Sequence, residues 1–230
     1  MKELITQSTF WGVGITLLTY QFGLLIKKKY KFSILNPLLI AIVAVILLLL
    51  LFEIEYETYN AGTGIISYLL TPATVSLAVP LHEQFLVLKK NVKAVLAGIV
   101  SGVITSATCV LVLSWMLGLN HQEYVTLLPK SITTAIGMII SEELGGYPTI
   151  TVAVIVITGV FGYIMADRIL KLFQIEEPIA KGIAIGTSSH AAGTAHAMEL
   201  GEVEGAMSGL SIAVSGLMTV FLIMIYANFL

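Results

Sequence analysis

Apolar residues run along this chain in blocks close to the ~20 residues that a helix needs to cross a lipid bilayer. Four blocks are unbroken, at residues 9–26, 34–52, 92–117 and 205–229, and a fifth, 149–170, stays apolar until Asp167 and Arg168. Three others, 61–80, 124–143 and 178–200, carry prolines, hydroxyls or charges inside the apolar run. The pattern predicts an all-α, polytopic membrane bundle of about five full transmembrane helices and three broken or re-entrant ones. On the pattern alone, each broken segment can either cross the membrane or turn back.

Composition fits a chain solvated by lipid. Of the 230 residues 57% are hydrophobic and 11% charged, where a soluble domain carries roughly 25% charged residues, and the mean hydropathy is +0.95. One integral membrane domain over 1–230 is expected, and the net charge of −2 gives no basis for a nucleic-acid partner. The single cysteine, Cys109, lies in an apolar run, which excludes an internal disulfide and predicts an inert thiol. The opening MKELITQSTF has no cleavage pattern and reads as part of a retained helix. Lys27, Lys28, Lys29 and Lys31 form the densest basic cluster, with Lys89, Lys90 and Lys93 as a second. Cytoplasmic placement of both puts the N-terminus outside a multi-pass protein of the cell membrane.

A shift of 57 residues without a gap aligns Ser101-Gly102-Val103 with Thr158-Gly159-Val160 and Ser215-Gly216-Leu217. The same shift takes Pro72 to Pro129 and Gly186, Thr74 to Ser131 and Ser188, Ala78 to Ala135 and Ala192, and Glu142 to Glu199. Repeat-like units of about 34–90, 91–147 and 148–204, with a final helix 205–229, are expected. Interrupted helices in matching places of such repeats point to a transporter's binding site. If the broken segments turn back, neighbouring units are inverted; if they cross, the units run parallel.

The central break, residues 127–146, holds the most chemistry. Pro129 removes a backbone donor, and a helix starting near Ser131 directs free N–H groups and its positive dipole end at the break. Lys130, Ser131, Thr133 and Thr134 add a cation and hydroxyls at the same point. Together they favour a small anion, a carboxylate or phosphate. The competing reading has Lys130 snorkelling to the interface and pairing with a carboxylate. The third break, GTSSHAAGTAHAMELG at 186–201, offers Ser188, Ser189 and Thr194 as further substrate contacts. His190, His196, Glu142 and Glu199 are the candidates for proton coupling, imidazole being the side chain whose charge changes near neutral pH. Against this, a histidine in an apolar segment can equally be a hydrogen-bonded packing residue. Thr71 and Thr74, in the first break, form an uncharged supporting half-site. The segment 81–93 reads as an amphipathic interfacial connector.

No nucleophile elbow, phosphate-binding Gly-Lys-Ser loop or Cys/His cluster is present, so no catalytic residue, metal site, cofactor or enzymatic activity is expected. Small-residue spacings such as Gly98-x-x-x-Gly102 and Gly205-x-x-x-Gly209 allow close helix packing within the bundle or in a homo-oligomer.

Four ordered motifs, LLTPATVSLAVPL (69–81), LPKSITTAIGMIIS (128–141), GTSSHAAGTAHAMELG (186–201) and GAMSGLSI (205–212), resemble the LrgB/CidB family of bacterial membrane proteins. The resemblance runs from about residue 36 to the end of the sequence, with two departures: Ala135 stands where similar proteins often have proline, and His196 where many have arginine. It implies action beside a small LrgA/CidA-like membrane partner, either as an antiholin-like regulator of murein hydrolase activity and autolysis or as a carrier of small monocarboxylates. The latter would resemble the pyruvate-transporting pair and the plastidal glycolate/glycerate translocator. The polar broken core favours transport of a small organic anion.

Overall fold

The computed structural model describes residues 10–30, 35–76 and 78–230, apart from the side chains of Leu70 and Thr74. Among the described residues it contains α-helices and no strands. The contacts group into two compact units, Met1–Ser76 and Leu77–Leu230.

The first unit contains α1 (Trp11–Tyr30), α2 (Pro37–Leu51), α3 (Tyr56–Gly62), α4 (Gly64–Tyr68) and α5 (Leu70–Ser76). Lys27, Lys28 and Lys29 occupy the last turn of α1, where cations favour the helix dipole. Pro37 opens α2 behind the cap Asn36, whose Oδ1 accepts the N–H of Leu38 at 2.7 Å. At 15 residues, about 22 Å, α2 is shorter than a full crossing. Gly23 lies against the Pro37 backbone, so close that a Cβ would meet Pro37 O at 2.7 Å, and this lets α1 and α2 pack directly.

The second unit contains α6 (Ala78–Glu83), α7 (Phe85–Leu117), α8 (His121–Leu127), α9 (Thr134–Glu143), α10 (Pro148–Leu172), α11 (Pro178–Leu200) and α12 (Glu202–Tyr226). Three of these, α7, α10 and α12, are long and apolar enough to cross a membrane, as is the interrupted run Gly64–Glu83. The helix α7 begins at Phe85 and so absorbs most of the expected connector. Its 33 residues rise about 50 Å, more than a bilayer's apolar core, so its Lys89–Lys90 end has length to project beyond it. One face of α7 (Val95, Ile99, Val103, Ala107, Val110) is buried at helical spacing. It meets Ile183, Ala206 and Met207 in one core cluster, while Val110 joins Tyr124, Leu128, Ile132 and Ile223 in another.

Both broken segments of this unit turn back on themselves. Thr126, near the end of α8, and Ser141, near the end of α9, are bound by the same hydroxyl: Thr151 Oγ1 lies 2.9 Å from Thr126 O and 2.7 Å from Ser141 Oγ. In one continuous helix those 15 residues would rise about 22 Å. The chain therefore reverses through the Leu128–Thr133 turn, where Pro129 interrupts the helix. In the second segment, a Cβ on Gly193 would lie 2.9 Å from Ile185 Cγ2 and 3.1 Å from Ile185 O. Eight residues of straight helix would separate these by about 12 Å. The reversal is at His190 (φ 40°, ψ −136°), four residues beyond the expected start near Gly186. The lack of a Cβ at Gly193 permits the two arms to touch, and at Gly186 it permits close approach to the Ser208 backbone of α12. Neither arm of either hairpin reaches the ~20 residues of a crossing.

Candidate functional site

The two hairpin tips and one face of α7 enclose a cleft of about 820 Å³. From α7 come Gly98, Ser101, Gly102, Thr105, Ser106 and Cys109, a small and polar stripe spaced at three and four residues. The first tip contributes Lys130 and Ser131; the second hairpin contributes Ile183, Ala184, Thr187 and Ser188. The 57-residue shift pairs Lys130 with Thr187 and Ser131 with Ser188, so equivalent positions of the two tips face one space.

Lys130 is the cation of this cleft. Its Nζ donates to Ser131 Oγ at 2.8 Å, and Ser106 Oγ lies 3.2 Å from the same oxygen. Among the described residues no carboxylate lies within ion-pair distance of Lys130. Ser131 is buried and Lys130 half-buried. Thr133 caps α9 without a side-chain hydrogen bond, leaving first-turn N–H groups at the same turn. Thr187, only 5% exposed, has a hydroxyl with no hydrogen-bond partner among the described residues. A buried orphan hydroxyl costs about 1–3 kcal/mol unless a ligand or water satisfies it. The recess is thus lined by one cation, Lys130, several hydroxyls and, at its far end, the Glu177 carboxylate.

The other expected site residues fall elsewhere. Ser189 is buried and bonds Ser188 Oγ at 2.9 Å. Thr194 Oγ1 bonds His190 O at 3.0 Å and Ser208 Oγ at 2.7 Å, holding the return arm of the second hairpin to α12. Thr133 and Thr134 start α9 without lining the cleft, and Glu142 is exposed near the end of that helix. Thr71 is exposed in the first unit, and the side chain of Thr74 lies outside the described residues. The cleft as described is therefore built by the second unit alone.

The histidines have separate environments. The His190 ring is buried, with Nε2 2.9 Å from Ile155 O, and Gly159 leaves it room. This is the hydrogen-bonded packing arrangement, here at a hairpin tip. His196, on the return arm, contacts Asp167 and Glu199, away from the cleft. No cluster able to hold a metal ion occurs among the described residues.

The polar stripe of α7 was not singled out from the sequence, although Ser101, Thr105 and Cys109 recur at a spacing of four. Cys109 is exposed and lines the cleft with Lys130, because it falls on this stripe and not on the buried face.

A sequence model described as the LrgB-like family matches residues 16–229. Proteins named Antiholin-like protein LrgB from Bacillus mycoides, Bacillus cereus and Bacillus anthracis are each 38% identical over 226 residues, covering 98% of this chain and 98% of theirs. No solved structure matches the chain significantly.

Proposed function

The chain belongs to the LrgB-like family, and from that premise we propose that it is the larger subunit of a carrier for small monocarboxylates of the pyruvate, glycolate or glycerate kind. The observation that supports this most is the Lys130 ammonium, without a carboxylate partner among the described residues, where the two hairpin tips converge. Half-helix ends, a cation and hydroxyls meeting at a break are what an anion path through lipid requires. In this reading Lys130 and Ser131 hold the carboxylate, while Thr187 and Ser188 close the site from the second tip. A returning hairpin followed by one crossing helix, repeated at 57 residues, makes neighbouring units inverted, an arrangement that supports alternating access. An LrgA/CidA-like small membrane protein is the proposed partner. The proposed location is the cell membrane, with the lysine clusters facing the cytoplasm.

The test is uptake of labelled pyruvate or glycolate into liposomes holding the purified chain, with and without that partner. Saturable uptake weakened by Lys130→Ala is expected; no uptake in either preparation overturns the reading. The relatives' antiholin-like names favour a second reading, a regulator of a holin-like pore and of murein hydrolase activity without carrier activity. It predicts partner-dependent dye leakage that is insensitive to Lys130, Ser131 and Thr187.

A further inference from the structure

A second titratable cluster lies on the return arm of the second hairpin, apart from the anion cleft. His196, 7% exposed, places Nε2 2.8 Å from Asp167 Oδ1 of α10. Since an ionised carboxylate only accepts, Nε2 carries the hydrogen. Nδ1 has no hydrogen-bond partner among the described residues and faces Glu199 Oε2 at 3.6 Å. Tyr163 of α10 donates to both Glu199 oxygens at 2.9 and 3.0 Å, and its ring centroid lies 4.8 Å from that of the imidazole. Arg168 and Lys171 follow on α10, and Glu202 and Glu204 start α12; neither acid is within ion-pair distance of His196. Asp167, Lys171, Lys181 and Leu200 line an adjoining polar recess of about 480 Å³.

We propose that His196, with Asp167 and Glu199, is a proton-binding site whose occupancy fastens the return arm of the second hairpin to α10. A neutral imidazole has one donor, already committed to Asp167, and turns its Nδ1 lone pair toward the negative Glu199. One added proton gives Nδ1 a donor that Glu199 accepts, so the ring joins two carboxylates through two charge-assisted hydrogen bonds. Glu199 is itself held to α10 by Tyr163. The proton thereby closes a circuit from Asp167 through His196 and Glu199 to Tyr163. The side chains of Asp167 and Glu199 are 56% and 52% exposed, which gives the proton a route from the recess. The arm connects through the His190 reversal to Thr187 and Ser188 in the cleft. On the carrier reading, which supplies only this last link, proton occupancy sets the position of one wall of the anion site.

The experiment is hydrogen exchange of the full chain in nanodiscs, normalised to intrinsic rates, on the amides of 191–200 at about pH 5.5 and about pH 8, which bracket the range where imidazoles change charge. Wild type is expected to exchange about tenfold more slowly at the acid pH, the scale of one charge-assisted hydrogen bond. His196→Arg should be slow at both pH values and His196→Gln fast at both. Because Glu199 is exposed, Glu199→Gln decides the matter even where a His196 variant fails to fold: it should bring the pH ratio to within about twofold, the added hydrogen bond having lost its charged acceptor. An unchanged ratio in Glu199→Gln, or no ratio in wild type, overturns the proposal. The same preparation assayed for carboxylate uptake separates the two readings. A pH-dependent arm without uptake sinks the carrier and leaves the proton site; uptake without a pH-dependent arm does the reverse.

Discussion

Gly159 and His190 occupy one space: a Cβ on Gly159 would lie 2.6 Å from His190 Cε1. The imidazole therefore reaches Ile155 O only because α10 lacks a side chain at this point. Gly159→Ala should displace the ring and cost about 1–3 kcal/mol, the usual range for overpacking. Gly216→Ala is the control, since its nearest neighbour is Ile136 Cδ1 at 3.7 Å, an ordinary contact. Thermal melts of the purified variants are expected to rank wild type and Gly216→Ala together, with Gly159→Ala clearly lower.

His190 itself stands at φ 40° and ψ −136°, a conformation that side-chain-bearing residues rarely adopt. His190→Ala loses the hydrogen bond to Ile155 and keeps the strain. His190→Gly loses the same bond and relieves the strain, of order 1–3 kcal/mol. The glycine variant should be the more stable of the two by about 1 kcal/mol or more in denaturant titration. An alanine variant equal to the glycine variant would mean that the backbone reversal is not strained.

Lys130 should separate binding from stability. No carboxylate offsets its desolvation among the described residues, so Lys130→Met removes a cost to folding and should leave the melting temperature unchanged or higher. Anion affinity should fall about tenfold or more, as for loss of a charge-assisted contact. Calorimetry with small carboxylates, beside the melt, checks both. Parallel loss of folding and binding would instead mark Lys130 as a packing residue.

The blocks that form α7, α10 and α12 were legible because lipid demands long apolar runs, whereas the run 61–80, read as broken, overlaps a stretch long and apolar enough to cross, and α2 is too short. The break at Pro129 was equally plain, since a missing donor beside a lysine has few other uses. The break at His190 was not. Nothing in SSHAAG signals a positive φ, and the reversal depends on tertiary partners, with Gly159 receiving the ring and Thr194 Oγ1 binding the freed His190 carbonyl. The separation of the two histidines was hidden for the same reason. Their spacing of six says they differ in face, whereas the fold-back sets His190 against Ile155 of α10 at the tip and His196 against Asp167, about three turns further along the same helix. Thr187 was legible only as one of several polar residues in the run 186–201, because an orphan hydroxyl exists only once its neighbours are known.

Cys109 turns the cleft into something that can be probed without engineering. It is the chain's single cysteine, it is exposed, and it lines the same recess as Lys130. A membrane-permeant maleimide should modify it, and a bound carboxylate should slow that modification in proportion to occupancy. Protection by pyruvate or glycolate, absent in Lys130→Ala, is the expected result, read by mass spectrometry of the intact protein. Full labelling with no protection by any small carboxylate would separate the cleft from the substrate.

Thr187 and Thr194 differ by one feature, and the difference is testable. Both are buried hydroxyls of the second hairpin; Thr194 has two partners, Thr187 none. Replacing each with the near-isosteric valine removes the hydroxyl while keeping the shape. Thr194→Val leaves Ser208 and the His190 carbonyl short of a partner and should destabilise by about 1–3 kcal/mol. Thr187→Val removes a group that is unsatisfied in the empty protein, so stability should hold or rise. If that hydroxyl completes the anion site, the same change should weaken carboxylate binding several-fold, about 1 kcal/mol for a neutral hydrogen bond. A stabilised Thr187→Val with unaltered binding would show that the second tip borders the cleft without touching the ligand, leaving Lys130 and Ser131 to hold the anion from the first tip alone.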